Sequence, residues 1–265
     1  DQVPPQPIVK LEGLGSHTYP YAIDDALAAK VFAKENITIA VDVVTASSMS
    51  SRGAIVCASE PAEPAATTAI GTNISPYIAF GQFSDRRISY LRSARSGDQY
   101  SGTYLDASTN YKLIYVIDGT KSIQMYKCVD GVVTSLMNRG TTNNNESINW
   151  LQNLKQVADN YNGAKLYIGG GVTKEGNKDV FAGRIRSVQF FDEALSAEKI
   201  AQLEYPINPE DIILEKAAEA NANMNIFGMQ RYLGLVQSSD NYLCNYPSDP
   251  ADGQGYPGLL DGNHS

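Results

Sequence analysis

From Asn36 to Val43 the chain alternates without a break: Ile37, Ile39, Val41 and Val43 fall on one parity, Thr38, Ala40 and Asp42 on the other. Period two is the signature of a strand with one face turned to a core. Shorter runs follow the same rule. Ala54–Ala58, Tyr77–Phe83, Arg87–Arg92, Tyr111–Ile117, Ser122–Val129 and Lys165–Ile168 all read as strands. Asp118-Gly119 and Asp130-Gly131 punctuate the run YKLIYVIDGTKSIQMYKCVDG, which predicts a hairpin and a following turn. Ser84-Asp85-Arg86 gives a weaker hairpin signal between the strands that flank it. Helical patterning is confined to the margins. Ile23–Lys34 fits a short helix, and Trp150–Leu154 fits a short strand or turn. Pro- and Ala-rich Ser59–Ser75 has no sustained period and reads as a long loop, as does Asn143–Asn145. Many short strands with turns between them predict an all-β sandwich.

The stretch KDVFAGRIRSVQFFDEALSAEKIAQL, Lys178–Leu203, is the most informative. Ile185 and Val188 have opposite parity, so a bulge near Arg186-Ser187 must re-phase the strand if both point inward. Asp192-Glu193-Ala194 then turns the chain. Ser196 stands where a helix N-cap belongs, with Glu198 in the first turn and Leu195 and Ile200 at the two positions of a hydrophobic staple.

Composition narrows the function. Lys plus Arg number 21 against 29 Asp plus Glu, a net charge of −8, which argues against a nucleic-acid partner. No run of eighteen apolar residues suggests a transmembrane segment. The chain begins at Asp1 rather than Met, which reads as a processed end or a fragment boundary. Cys57, Cys128 and Cys244 permit at most one internal disulfide, and free thiols are expected. Asn36, Asn73, Asn145 and Asn263 lie in N-x-[ST] sequons that matter only in a glycosylating host.

Catalytic patterns are absent from the sequence. Its two histidines, His17 and His264, sit in no nucleophile–base motif, and no Cys/His cluster offers a zinc site. Gly171–Gly176 has the spacing of a phosphate loop, but Asn177-Lys178 replaces its Lys-Ser/Thr. No pair of carboxylates is set for glycoside hydrolysis. The chemistry that stands out is basic and aromatic. Arg86, Arg87, Arg92 and Arg95 fall close together, with Asp98, Tyr100 and Tyr104 beyond them. In RISYLR, alternation puts Ile88, Tyr90 and Arg92 on one face and Arg87, Ser89 and Leu91 on the other. An arginine fork recognises a carboxylate, and tyrosines stack on sugar rings. The plainer alternative pairs Arg92 with a local acid such as Asp98 on an exposed sheet face.

Two resemblances sharpen this reading. F-x-G-x-I-x-x-V-x-x-F-x-x-A-L-S-x-E-x-I in the Lys178–Leu203 stretch resembles the close of concanavalin A-like, laminin-G-like lectin domains, a last jelly-roll strand and a capping helix. YIAFGQFSDRRISYLRS, the YKLIYVIDG hairpin and LYIGGGVTKEGNKDVFAGRI are similar to segments of the N-terminal lectin-like modules of bacterial sialidases. The resemblance spans most of residues 8–205 and implies a jelly-roll β-sandwich that binds carbohydrate without catalysis. Arg92 would meet a sialic acid carboxylate, with Tyr90, Arg95 and Asp98 as further contacts. Lys174 and Glu175 stand where that family often has a second arginine, and an acid there disfavours an anionic sugar. No cofactor is implied, although such folds often carry calcium, and Ser248–Gly253 is a weak Asp-bearing candidate loop. The implied setting is a secreted or cell-surface glycan-active protein, lipid-anchored or periplasmic placements included. A protein-binding adhesion domain of laminin-G type and an unrecognised enzyme are the rival readings.

After Tyr205 the character changes. Residues 1–205 read as the lectin-like domain and 206–229 as a helical linker. The last part, 230–265, reads as an ordered tail or an incomplete discoidin-like (factor five/eight type C) domain, since DPADGQGYPGLLDG resembles the opening of that domain. Further domains could follow Ser265.

Overall fold

The structure is a computed structural model that describes residues 3–59, 77–91, 99–118, 122–140, 165–173 and 176–207, with backbone alone at 77, 78, 90, 91, 99, 100 and 138–140. The chain divides into two compact units, Asp1–Pro206 and Ile207–Ser265. The second lies outside the described residues apart from Ile207. With it lie the expected linker helix and discoidin-like segment, the strand or turn at Trp150–Leu154, and most of the loop after Ser59.

Two six-stranded antiparallel sheets make a sandwich. The first sheet runs β1 (Val9–Glu12), β14 (Arg184–Phe191), β3 (Asn36–Val44), β8 (Asn110–Asp118), β9 (Ser122–Val129), β10 (Val132–Gly140). The second runs β2 (Tyr21–Ala22), β11 (Lys165–Ile168), β4 (Gly53–Ser59), β5 (Tyr77–Gln82), β6 (Arg87–Leu91), β7 (Gln99–Tyr104). A small hairpin of β12 (Gly171–Thr173) and β13 (Gly176–Lys178) stands apart. The sandwich is the jelly-roll-type all-β architecture expected, with helices α1 (Asp25–Phe32) and α2 (Ala197–Ile200) at its margins. Among the described residues no helix is long and apolar enough to cross a membrane.

Period two becomes burial. The odd-numbered members of β3, Ile37, Ile39, Val41 and Val43, enter one core with Leu113, Tyr115 and Ile117 of β8 and Val188 and Phe190 of β14. The second sheet answers with Val56, Ala58, Phe80, Ile88, Leu166 and Ile168. Each large aliphatic side chain buried in this way contributes about 1.5–3 kcal/mol. Tyr115 ties the sheets together. Its ring tilts against Phe80 at 4.6 Å, and its hydroxyl donates to the Gly81 carbonyl at 3.1 Å. Full burial pushes its phenol well above the ordinary range.

The bulge expected near Arg186-Ser187 is present, since β14 shifts register against β3 between Ile185 and Ser187. Ile185 and Val188 are both fully buried as a result. Ser196 caps α2 through the Lys199 N–H, and the staple residues Leu195 and Ile200 are buried. They pack with Ala40, Ile114, Val116 and Phe191 on the outer face of the first sheet. Tyr205 packs there too, beneath the Lys112 ammonium at 5.0 Å from its ring. On the same parity Asp42 is buried, taking Lys112 at 2.8 Å, Asn110 at 2.7 Å and Arg186 at 3.6 Å. The segment from Asp192 to Tyr205 therefore roofs the first sheet.

Candidate functional site

Residues on the outer face of the second sheet are set by the strands beneath them. In β6, Ile88 is fully buried in the core, so Arg87 and Ser89 carry the opposite face. Tyr90 stands opposite Phe80 in the ladder, on the parity of Ile88. Its side chain is outside the description, as are Arg92, Arg95 and Asp98, and also Lys174 and Glu175. The described geometry therefore lies just upstream of the residues expected to bind, on the parity of Ser89 rather than Tyr90.

Two features occupy this face. One is a small notch lined by Arg52, Gly53, Ala54, Ala79, Gly81, Gln82, Ser89 and Asp179, with a volume of about 10 Å³, roughly one water. Its floor is small because the strands meet closely there. A Cβ at Gly81 would stand 2.0 Å from the Gly53 carbonyl oxygen, where β4 shifts register against β5 between Ala54 and Val56. Its wall is an ion pair, Arg52 Nε donating to Asp179 Oδ2 at 3.2 Å. Asp179 adopts a left-handed backbone, φ 50, and its carbonyl accepts the Ala54 N–H at 2.8 Å. Beyond the notch, Val172 of the β12–β13 hairpin packs on Ala54, Cys57, Ala79 and Tyr167. The Ser59 hydroxyl fixes that hairpin, donating to the Val172 carbonyl and accepting its N–H.

The other feature is a stack. The Arg87 guanidinium lies 5.6 Å from the ring centre of Phe83 and 5.3 Å from that of Tyr104. Asp85 holds it in plane: Nε is 2.9 Å from Oδ2 and 3.1 Å from Oδ1, and Nη2 is 2.7 Å from Oδ2. Hydrogen bonding to this guanidinium holds the Asp85 carboxyl below its ordinary range. The turn is anchored to the end of β7 by Arg86, which has φ 73. Its Nε donates to the Leu105 carbonyl and its carbonyl accepts the Leu105 N–H, both at 3.2 Å. Arg86 and Arg87, half of the arginine cluster, thus serve local structure. Tyr104 remains 62% exposed.

Among the described residues no group of three or more His, Cys, Asp and Glu is placed to hold a metal ion. Cys57 and Cys128 are not bonded to each other, and Cys244 lies outside the description.

No family model and no curated protein sequence matches the chain. Solved structures do. The IT-sialidase CBM40 module of Ruminococcus gnavus bound to α2,3 sialyllactose superposes with a TM-score of 0.55 at 14% identity, over 74% of this chain and 97% of that one. The fold is related to the CBM40 lectin module of sialidases. NanB sialidase of Streptococcus pneumoniae matches with a TM-score of 0.53 at 15% identity, and leech intramolecular trans-sialidase with 0.52 at 16%. In those larger proteins the match covers 28% and 29% of the chain. The R. gnavus structure, matched nearly end to end, is a carbohydrate-binding module and not a catalytic domain. At these identities the likeness establishes the fold.

Proposed function

We propose that this chain is a non-catalytic carbohydrate-binding module that holds a sialylated or other host-type glycan on the outer face of its second sheet. One observation carries the reading: Arg52, Ser89, Arg87 and Tyr104 gather on that face around β6, while the first sheet is roofed by Asp192–Tyr205. Polar groups over a floor of small residues, beside an exposed aromatic, suit hydroxyl-rich rings with apolar faces. Strand β6 leads directly to residues 92–98, so Arg92, Arg95 and Asp98 are the contacts this reading assigns to the ligand on that face, while Tyr90 shares the parity of core residue Ile88. A further support is that R. gnavus CBM40 has been solved with both α2,3 and α2,6 sialyllactose. Residues 1–205 are then the binding module of a secreted or surface glycan-active protein, with 206–229 a helical linker and 230–265 an ordered tail or the start of an incomplete discoidin-like domain.

The test is a glycan array probed with the whole chain and with Arg92→Ala. Retention of sialylated glycans by the parent and their loss in the variant is the expected result. Unchanged binding by Arg92→Ala would remove that arginine from the site.

A further inference from the structure

Tyr104 poses a question that the fold does not answer. It is the last residue of β7, opposite Arg87 in the ladder, and it leaves most of an aromatic ring in water. The Arg87 guanidinium lies over that ring, and the same guanidinium also lies over the ring of Phe83. Asp85 fixes the guanidinium plane through both carboxylate oxygens. The left-handed Arg86 clamps the whole turn to Leu105, the next residue after Tyr104. Strain and bracing of this kind cluster where a surface must be held in one shape. The ring is therefore presented in a fixed orientation, and a partner that stacks on it loses little to ordering.

We propose that Tyr104 is a stacking platform for one neutral pyranose of the bound glycan, a subsite separate from the Arg52 notch. The inference rests on the carbohydrate-binding reading above. Charge decides for a neutral ring. Asp85 neutralises Arg87, so the platform offers an anionic sugar no net attraction. The exposed π-face is electron-rich and matches the weakly positive C–H face of a pyranose. Ser89, which lines the notch, is two residues along β6 from Arg87, about 7 Å at strand rise. Notch and platform are therefore adjacent subsites on one face, the first polar and water-sized, the second flat and aromatic.

The test is calorimetric titration of the whole chain with 3′-sialyllactose and with lactose, whichever the parent binds serving as reporter. Tyr104→Ala is expected to weaken binding about fivefold, and Tyr104→Phe to retain it, because the ring and not the hydroxyl carries the contact. The exposed site should leave the melting temperature of both variants at the parent value. Unchanged affinity in Tyr104→Ala, or equal losses in the two variants, would overturn the platform while leaving carbohydrate binding intact. A parent chain that binds neither sugar would overturn the carbohydrate reading and the platform with it.

Discussion

Asp179 holds Arg52 across 127 residues of chain, its Oδ2 accepting the guanidinium Nε at 3.2 Å. The same residue bonds β4 through its backbone and sits at φ 50, a conformation Asp and Asn tolerate better than other non-glycine residues. Both ends are substantially buried, the side chains of Arg52 and Asp179 being 28% and 13% exposed. The pair is thus a wall of the notch and a tie between the β3–β4 connection and the turn after β13.

Substitution at Asp179 should separate these roles. Asp179→Asn keeps an acceptor and tolerates the left-handed backbone, so it should cost about 1 kcal/mol. Asp179→Ala loses the brace and adds backbone strain, and should cost about 2–3 kcal/mol. Denaturant unfolding of the two variants measures the gap. Equal losses would show that the backbone conformation contributes nothing.

Asp42 offers a sharper stability test. It is 1% exposed and meets Lys112, Asn110 and Arg186 on the outer face of the first sheet. Removing one partner from a buried ionic cluster leaves the other charges without compensation. Asp42→Ala should destabilise the fold by about 3 kcal/mol, read as a lowered midpoint in urea. Glycan affinity should not change, because this face is roofed by Asp192–Tyr205.

Asp85 gives a pH signature. Its carboxyl is held below the ordinary value of 3.8, chiefly by hydrogen bonding to Arg87. A lowered folded-state pKa means the contribution is fully present above the unfolded value and is lost as pH falls through the folded one. Asp85→Asn should therefore melt below the parent near neutral pH, and the two curves should converge below pH about 3.8. A constant offset down to pH 2 would contradict the assignment. The effect is modest because Asp85 is partly exposed to solvent.

Much of the sandwich was legible because its central strands obey a strict period. The β3 alternation, the β8–β9 hairpin, the β14 bulge and the Ser196 cap all follow from local chemistry, and each is present. Edge elements were not legible. Val9–Glu12 and Tyr21–Ala22 are too short for a pattern, and β10 carries a register shift between Ser135 and Met137 that breaks its alternation. The site was only half readable. The parity of RISYLR is plain in the sequence, but which side faces the core is settled by packing across the sandwich, where Ile88 joins Phe80 of the neighbouring strand and Tyr115 of the first sheet. Arg52 and Asp179 carry no local signal, since they meet only through the fold. Reading Gln99–Tyr104 as a regular strand would have put Gly102 opposite Arg87, and only the register shift between Arg87 and Ser89 brings Tyr104 there.

Carbohydrate binding is proposed for the outer face of the second sheet. It is tested most directly by backbone amide shifts on titrating the whole chain with 3′-sialyllactose. The largest perturbations are expected at Ala79, Gly81 and Ser89, at Arg92, Arg95 and Asp98, and at Thr103 to Leu105, with β8 and β9 unmoved. Perturbations centred on β8, β9 or α2, or none at millimolar ligand, would contradict that proposal.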